Sequence, residues 1–354
     1  MEQATWLQHD GHGVAIAAPA ASAVNREARK RGINVIDIDF SRSYAPASVF
    51  ALRRAIKALR VDVIDSHSRA DGKTAALCRD LCAVVRTRHF AKPMRTSLRR
   101  RFEWKMGCDH VIATSQLGKQ ELLSAQLVPE ERISVVGEWA TDRFFSGAAG
   151  HESRTKARYA LGMQGKADDY VVATVGMLRP EKGQADLLRV VHRLRSKGIP
   201  ATALVMGMPT PRTHRYAEHL HRLAADLQIA QHVCFAGHRE DVAETIHAAD
   251  VVLVPSATEA WSRIVPEAFA ARIPVVASRV GGLPEIIAQG ATGWLAPAGD
   301  VDSFAERIAH IRLNPAVAER VVENARAYAD ANFRLAKQMA RTLKVYSLVA
   351  RTGQ

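Results

Sequence analysis

Three things are scarce in this chain. Aromatic residues are 6% of 354, few for a groove that stacks the bases of a single-stranded nucleic acid. The four cysteines, Cys78, Cys82, Cys108 and Cys234, form no CxxC pair. They read as free thiols of a reducing compartment, which points to the cytoplasm. No apolar run approaches the ~20 residues that span a bilayer. The opening MEQATWLQHDGHG has no basic region followed by an apolar stretch, so no signal peptide is expected. Acid is also short, with 36 Asp and Glu against 49 Lys and Arg and a net charge of +13. That balance suggests a polyanionic partner: nucleic acid, an anionic membrane or a phosphorylated substrate. The excess is concentrated. Between Arg86 and Lys105 there are eight cations against the single acid Glu103.

What is present is ordinary globular material, 47% hydrophobic and 24% charged, with length enough for two domains. Short Val/Ile/Ala runs alternate with amphipathic stretches. Candidate strands lie at 14–18, 34–38, 61–65, 83–86, 110–113 and 133–136. After a break they resume at 171–175, 201–206, 233–236, 251–254, 275–277 and 293–295. Runs without polar alternation are strands buried on both faces of a parallel sheet. Strands alternating with helical stretches mean parallel α/β with right-handed crossovers. The break, SGAAGHES at 146–153, reads as an inter-domain linker. Two doubly wound domains are expected, 1–145 and 151–334, with a ligand cleft between them at the carboxyl ends of the strands.

Three stretches of the second half carry chemistry. Strand 251–254 ends at Pro255, which puts Glu259 in the loop at the strand's carboxyl edge. Pro266 suits a first helical position and would place Glu267 in the first helical turn, where the helix dipole favours a carboxylate. Spacing alone leaves open a solvated Glu259 and a Glu267 that only steadies the helix start. The loop Gly176-Met177-Leu178-Arg179-Pro180-Glu181-Lys182-Gly183 offers a glycine, two cations and a helix start, the parts of an anion site. Its bland alternative is a turn with surface charges. Gly281-Gly282-Leu283-Pro284-Glu285 opens another helix with backbone N–H groups that suit a phosphate; the bland alternative is a tight turn.

In this order the three stretches resemble the donor half of the family-4 (group 1) retaining glycosyltransferases of the GT-B fold. The family pattern is a G-x-L-x-P-x-K-G loop, a strand with P-S-x-x-E, seven residues, E-A, then P-V-V-A-S-x-x-G-G-x-P-E and G-x-L. Here it is met by Gly176 to Gly183, Pro255-Ser256 with Glu259, Glu267-Ala268, Pro274 to Glu285, and Gly293-Trp294-Leu295. The first half is similar to lipopolysaccharide and cell-surface glycan members through Asp65-Ser66-His67-Ser68, Thr87-Arg88-His89 and Ile112-Ala113-Thr114-Ser115.

The resemblance implies two Rossmann-like domains and a nucleotide-sugar donor. It places Glu267 on the donor ribose, Glu259 on the donor sugar, and Lys182 with Arg179 on the diphosphate. Gly176, Gly281 and Gly282 belong to the same site, and Gly237, within Phe235-Ala236-Gly237-His238-Arg239, to the wall against the base. His67 corresponds to a cleft histidine near acceptor and sugar; its bland alternative caps a strand end. His67, Arg179, Lys182 and Glu259 would be the catalytic set. Met177 stands where the family often has Arg. Ala260-Trp261-Ser262 replaces Gly-x-Gly, so Trp261 narrows the space beside the sugar.

The resemblance also implies transfer with retention to a hydroxyl of a surface glycan or lipid-linked acceptor, without metal or bound cofactor. It further implies a last helix, within 335–354, that crosses back to the first domain. The first strand of the first domain has no counterpart here: 14–18 is the first convincing strand, and 3–8 looks like the tail of a helix. The basic stretch Arg95 to Lys105 would reach an anionic membrane surface, giving a peripheral position at the inner face of the plasma membrane, or grasp a phosphorylated glycan; its bland alternative is a solvated helix. Asp37-Ile38-Asp39 imitates a metal-binding DxD but reads as a solvent-facing strand end. His214, His219 and His221 lack i, i+4 spacing for zinc. Rival readings are a nucleotide-sugar epimerase-like enzyme, a catalytically dead relative, and a basic nucleic-acid-binding protein.

Overall fold

A computed structural model describes residues 1–42, 44–89, 97–147, 150–166 and 168–351, with the side chains of Arg99 and Phe102 left aside. The chain divides into two compact units: Met1–Gly137 with Leu335–Gln354, and Glu138–Arg334.

Unit 1 opens with helix α1 (Glu2–His9). Then β1 (Ala15–Ala18), α2 (Ala23–Lys30), β2 (Asn34–Asp37), α3 (Pro46–Leu59), β3 (Val63–Ser66) and α4 (Arg69–Ala76) follow in turn. β4 (Ala83–Arg88), α5 (Leu98–Gly107), β5 (His110–Ala113), α6 (Gln116–Ser124) and β6 (Ile133–Val135) complete the run. The strands form two parallel sheets and not one: β1 pairs β2, and separately the order is β3-β4-β5-β6. What joins them on one face is α3. Leu52 and Ile56 pack in one cluster with Ala17, Ile36 and Ile38 of the first sheet's side and Ile64 of the second.

Alternation along the strands assigns the two faces of the larger sheet. Val84 and Val111 point to a core with Leu122, Leu127 and Cys108. Their neighbours Val85 and Ile112 point the other way, onto Val345, Tyr346 and Val349 of the C-terminal helix. Cys78, Cys82 and Cys108 are buried free thiols. Burial pushes Cys78 up to about 11 and Cys82 up to about 12, so neither is a nucleophile near neutrality.

Unit 2 begins with α7 (Asp142–Ser146), α8 (His151–Ala160), β7 (Tyr170–Val175), α9 (Gln184–Ser196), β8 (Ala201–Met206), α10 (His214–Asp226) and β9 (Val233–Gly237). It continues with α11 (Val242–Thr245), β10 (Val251–Val254), α12 (Ile264–Ala270), β11 (Val275–Ser278), α13 (Leu283–Ile286), β12 (Trp294–Ala296), α14 (Val301–Leu313) and α15 (Pro315–Asn332); α16 (Leu335–Val349) returns to unit 1. One six-stranded parallel sheet runs in the order β9-β8-β7-β10-β11-β12. The chain starts in the middle, winds to one edge, then returns and winds to the other, so the order reverses between β7 and β10. Val171, Ala173, Val252 and Val254 face one core, Val172, Val251 and Leu253 the other.

Two expectations are corrected. The boundary falls at Gly137, not in 146–153. Phe144 and Phe145 are the reason: both bury in the core of unit 2. The Phe145 carbonyl accepts from Arg326, and the guanidinium groups of Arg326 and Arg334 lie over its ring. Within the polar, Gly-rich stretch, Ser146 ends α7 and His151 to Ser153 open α8, both in that unit. Helix α12 also starts earlier than Pro266, at Ile264. Pro266 is its third residue, where a missing N–H still costs no helical bond.

Two outcomes follow. β1–β2 has a single ladder, so amides of 15–18 and 34–37 should open at lower free energy than those of 171–173 and 203–205; equal protection in native-state hydrogen exchange would contradict this. Burial lowers the pKa of His110, His232 and His247. Their folded values lie below the unfolded value of about 6.5, so the stability they contribute is full above that pH and lost as pH falls. The urea midpoint should drop between about pH 7.5 and about pH 5.5, and less so in His110→Gln.

Candidate functional site

The carboxyl ends of β7, β10 and β11, three neighbours in the sheet, carry the residues that the sequence singles out in unit 2, except Gly237 at the end of β9. After β7 comes the loop 176–183. Its Lys182 extends to Glu259, in the loop after β10, with Nζ to Oε2 at 2.6 Å. The Ser256 hydroxyl donates to the same oxygen at 3.2 Å. The Glu259 side chain is 7% exposed and that of Lys182 31%. A carboxylate this deep requires a partner, and the ammonium supplies it while keeping part of its surface in solvent.

Backbone contacts hold these loops in place. The Ala257 N–H donates to the Glu181 carbonyl at 2.9 Å. Gly183, at φ 72°, sits so close to Pro255 that a Cβ would overlap the proline carbonyl. Gly281, at φ 56°, is pressed in the same way onto the Glu259 carbonyl, which also accepts from the Gly282 N–H at 3.2 Å. This changes the reading of the double glycine. The Gly282 amide is engaged within the protein, and Gly281 is glycine because no side chain fits. On the other side of β7, Gly207 follows β8 at φ 150°, its Cα against the Gly176 carbonyl, and its N–H donates to Gly237 at 2.7 Å. Gly176, Gly207 and Gly237 thus form a row without side chains across β7, β8 and β9.

Other predicted residues lie at the same edge but with different partners. Glu267, in the first turn of α12, has Oε1 3.3 Å from Arg263 Nη2 and a side chain 12% exposed, so it does not point outward into solvent. The Arg263 guanidinium lies over the Trp139 ring. Arg179 turns to Glu181 at 3.9 Å and to Met177 Sδ at 3.5 Å. Trp261 packs edge-on against Phe333, and its buried Nε1–H finds no acceptor among the described residues. Gln184 Oε1 and Ser278 Oγ are unpartnered in the same sense. Buried polar atoms without partners are rare and call for a reason.

In unit 1, His67 follows β3 and His89 follows β4. Their rings stack, with Nδ1 of His67 3.0 Å from Nε2 of His89. Asp65 lies beneath, its Oδ2 3.5 Å from His67 Nε2. That carboxylate accepts from Thr87 at 2.8 Å and from Tyr346 of α16 at 2.6 Å, and the Tyr346 oxygen accepts from Gln3 at 2.8 Å. Burial, and then the Asp65 charge, raises the Tyr346 phenol well above its ordinary range, which keeps it a donor. Of the rejected motifs, Asp37 pairs with Asn25 and Arg29, and Asp39 with Ser41.

Residues 1–138 match the model of Glycosyltransferase Family 4, and 163–328 that of Glycosyl transferases group 1. The chain belongs to the group 1, family 4 glycosyltransferases. It is similar to the D-inositol 3-phosphate glycosyltransferase of Mycobacterium marinum, 30% identical over 294 residues, covering 78% of this chain and 61% of that protein. The Mycolicibacterium smegmatis protein of that name is 31% identical over 268 residues, 71% of this chain and 59% of the relative. The chain therefore spans about three fifths of the length of these curated relatives.

Among solved structures, a Rickettsia africae glycosyltransferase superposes with TM-score 0.88 at 20% identity, over 99% of this chain and 94% of that one. Anabaena HepE, solved with UDP-glucose, gives 0.84 at 22%, over 97% and 94%. At such identities they show the shared fold, two Rossmann-like domains.

In the sequence His89, Asp65 and Ser256 stand in the quoted motifs without a role of their own, and Gly207 is not singled out. His89 had a signal, since Thr87-Arg88-His89 sits at a strand's carboxyl end as His67 does. Gly207 had one too, as the glycine directly after a buried strand. Asp65 and Ser256 act only through tertiary partners.

The glycines give a stability test. Gly237 has a positive φ but open space around it, so Gly237→Ala should cost about 1 kcal/mol. Gly281→Ala adds an overlap with the Glu259 carbonyl and should cost more than about 2 kcal/mol. Equal urea midpoints for the two variants would refute the steric account.

Proposed function

We propose that the protein transfers a sugar from a nucleotide-sugar to a hydroxyl of a glycan or lipid-linked acceptor, with retention and without metal. The observation that carries this reading is the Lys182–Glu259 pair, set beside the point where the strand order reverses. In it Lys182, joined by Arg179 after a side-chain rotation, meets the diphosphate. Glu259 accepts from sugar hydroxyls, and Glu267 from the ribose. The row of Gly176 and Gly237 leaves room for the nucleotide, and the unpartnered Trp261 N–H is a donor for the sugar.

The bond from the sugar's anomeric carbon to the phosphate oxygen breaks. The acceptor oxygen bonds the same face of that carbon, and its proton passes to the departing phosphate. Fixed cations lower this barrier because the leaving charge develops opposite them. The His67–His89 pair serves the acceptor side. A phosphorylated acceptor is supported by the name of the D-inositol 3-phosphate glycosyltransferases, a glycan acceptor by the similarity in fold to WaaG, a glycosyltransferase involved in lipopolysaccharide biosynthesis.

A membrane-side position is also part of the proposal. Arg95 lies outside the described residues. Within α5, Leu98 is 85% exposed and Met106 is exposed, which suits an interfacial contact. Trp104 does not take part: its ring lies under the Arg86 guanidinium and packs on the core. Among the described residues no helix is long and apolar enough to cross a membrane.

A thermal-shift screen with UDP-, GDP- and ADP-sugars should find a stabilising donor. Glu267→Ala should weaken its binding by about 1–3 kcal/mol, the scale of a hydrogen bond to a charged group. No shift with any of them, together with no transfer to added acceptors, would end the transferase reading. Anionic vesicles should co-sediment the protein at low salt and release it at high salt. An Arg99/Arg100/Arg101→Ser variant should lose that binding, and absence of binding at low salt would remove the membrane contact.

A further inference from the structure

The pair that carries the proposed function is also an obstacle to it. Lys182 and Glu259 are each other's partners at 2.6 Å, yet the donor reading asks the first to hold a diphosphate and the second to hold sugar hydroxyls. The loops bearing them are fixed by the Ala257–Glu181 hydrogen bond and by the contacts of Gly183 and Gly281 with carbonyl groups. The adjustment therefore falls on the side chains. Lys182 has the freedom, with four rotatable carbons and partial exposure. Glu259 has less, being nearly buried and tied to Ser256.

Resting on the donor-site reading above, we propose that the Lys182–Glu259 ion pair is a latch that couples recognition of the two ends of the donor. A diphosphate draws the Lys182 ammonium toward itself. That exposes the Glu259 carboxylate, nearly enclosed by protein, to the loss of its cation. Sugar hydroxyls restore what was lost by donating to the same carboxylate. A nucleoside diphosphate without a sugar draws Lys182 away and gives nothing back, and its own charge is set near an unpaired carboxylate. The latch thus favours the intact donor over the spent one, and it assists departure of the nucleotide once the sugar has gone. The reasoning follows from the rule that breaking a buried pair is costly through the charge left behind.

The sign of the expected effect is opposite to that of an ordinary contact residue. Glu259→Gln keeps the shape and an acceptor for the Ser256 hydroxyl but removes the competing charge. Isothermal titration would use UDP, GDP and ADP and their glucose conjugates. For the base that binds, the wild-type protein should take the sugar form more tightly than the bare diphosphate. In Glu259→Gln the bare diphosphate should bind about 3–10-fold more tightly than to wild type, about 0.6–1.4 kcal/mol, and the preference for the sugar form should vanish. Glu259→Asp, whose carboxylate is drawn back by one methylene, should shift both quantities in the same direction and by less; it serves if the amide variant does not fold. Weaker or unchanged diphosphate binding in both variants overturns the latch and leaves the donor reading standing. If none of the six compounds binds the wild-type protein, the donor reading falls and the latch with it.

Discussion

The candidate site of unit 2 depends on backbone approaching backbone without side chains between. At Gly183, Gly207 and Gly281 the carbonyl of a neighbouring loop occupies the space where a Cβ would lie. These approaches set the loops after β7, β8 and β10 at fixed heights above the sheet. Lys182 and Glu259 meet at 2.6 Å because their loops cannot drift apart. The parallel sheet beneath is buried on both faces, which gives the loops a rigid base. An ion pair on mobile loops would be worth little. On this base it becomes a defined element that a ligand must rearrange.

Much of this was legible in the sequence, for a physical reason. Strands buried on both faces leave an unmistakable run of Val, Ile and Ala, and 251–254 and 275–277 fell where expected. Gly183 and Gly281 stood out in the sequence as parts of an anion site, and their close approaches to carbonyl groups appear only in the fold. What was not legible follows from partners distant along the chain. Glu259 and Lys182 were expected in one site, but their direct ion pair and the Ser256 hydrogen bond to the same oxygen appear only in the fold. Asp65 needed Thr87 and Tyr346 to become a buried acceptor. The domain boundary differs from the expected one because composition does not mark membership: the Phe144–Phe145 anchor before the polar stretch decides which unit the segment joins.

Unit 1 shows a different economy. Among the described residues its β1–β2 ladder and its β3–β6 sheet have no strand pairing between them, and α3 spans both. Polar bonds join remote segments where strand pairing does not. Gln3 in α1, Asp65 after the middle of β3 and Tyr346 in α16 form one hydrogen-bonded chain. The first and last helices of the unit are thereby fastened to the strand that precedes His67. Any distortion of α16 would reach the histidine pair through a single carboxylate.

The charge of the chain takes on another meaning once its arginines are located. The +13 balance suggested a polyanionic partner, nucleic acid among the options. Yet several of those cations are internal fasteners. Arg86 is 7% exposed and stacks on Trp104. Arg88 is paired with Glu121 at 2.7 Å, and Arg158 with Asp250 at 2.8 Å while also donating to the Ala248 carbonyl. Arg132 and Arg326 donate to main-chain carbonyls of Cys108 and Ala270. A guanidinium suits this work because its planar fork serves several acceptors at once and is weakly hydrated. Charge used in this way offers little to an approaching polyanion, so net charge overstates the basic surface. An anionic ligand would then be drawn by placement and not by the sum, by a cation at the carboxyl edge of a sheet, and Lys182 meets that condition.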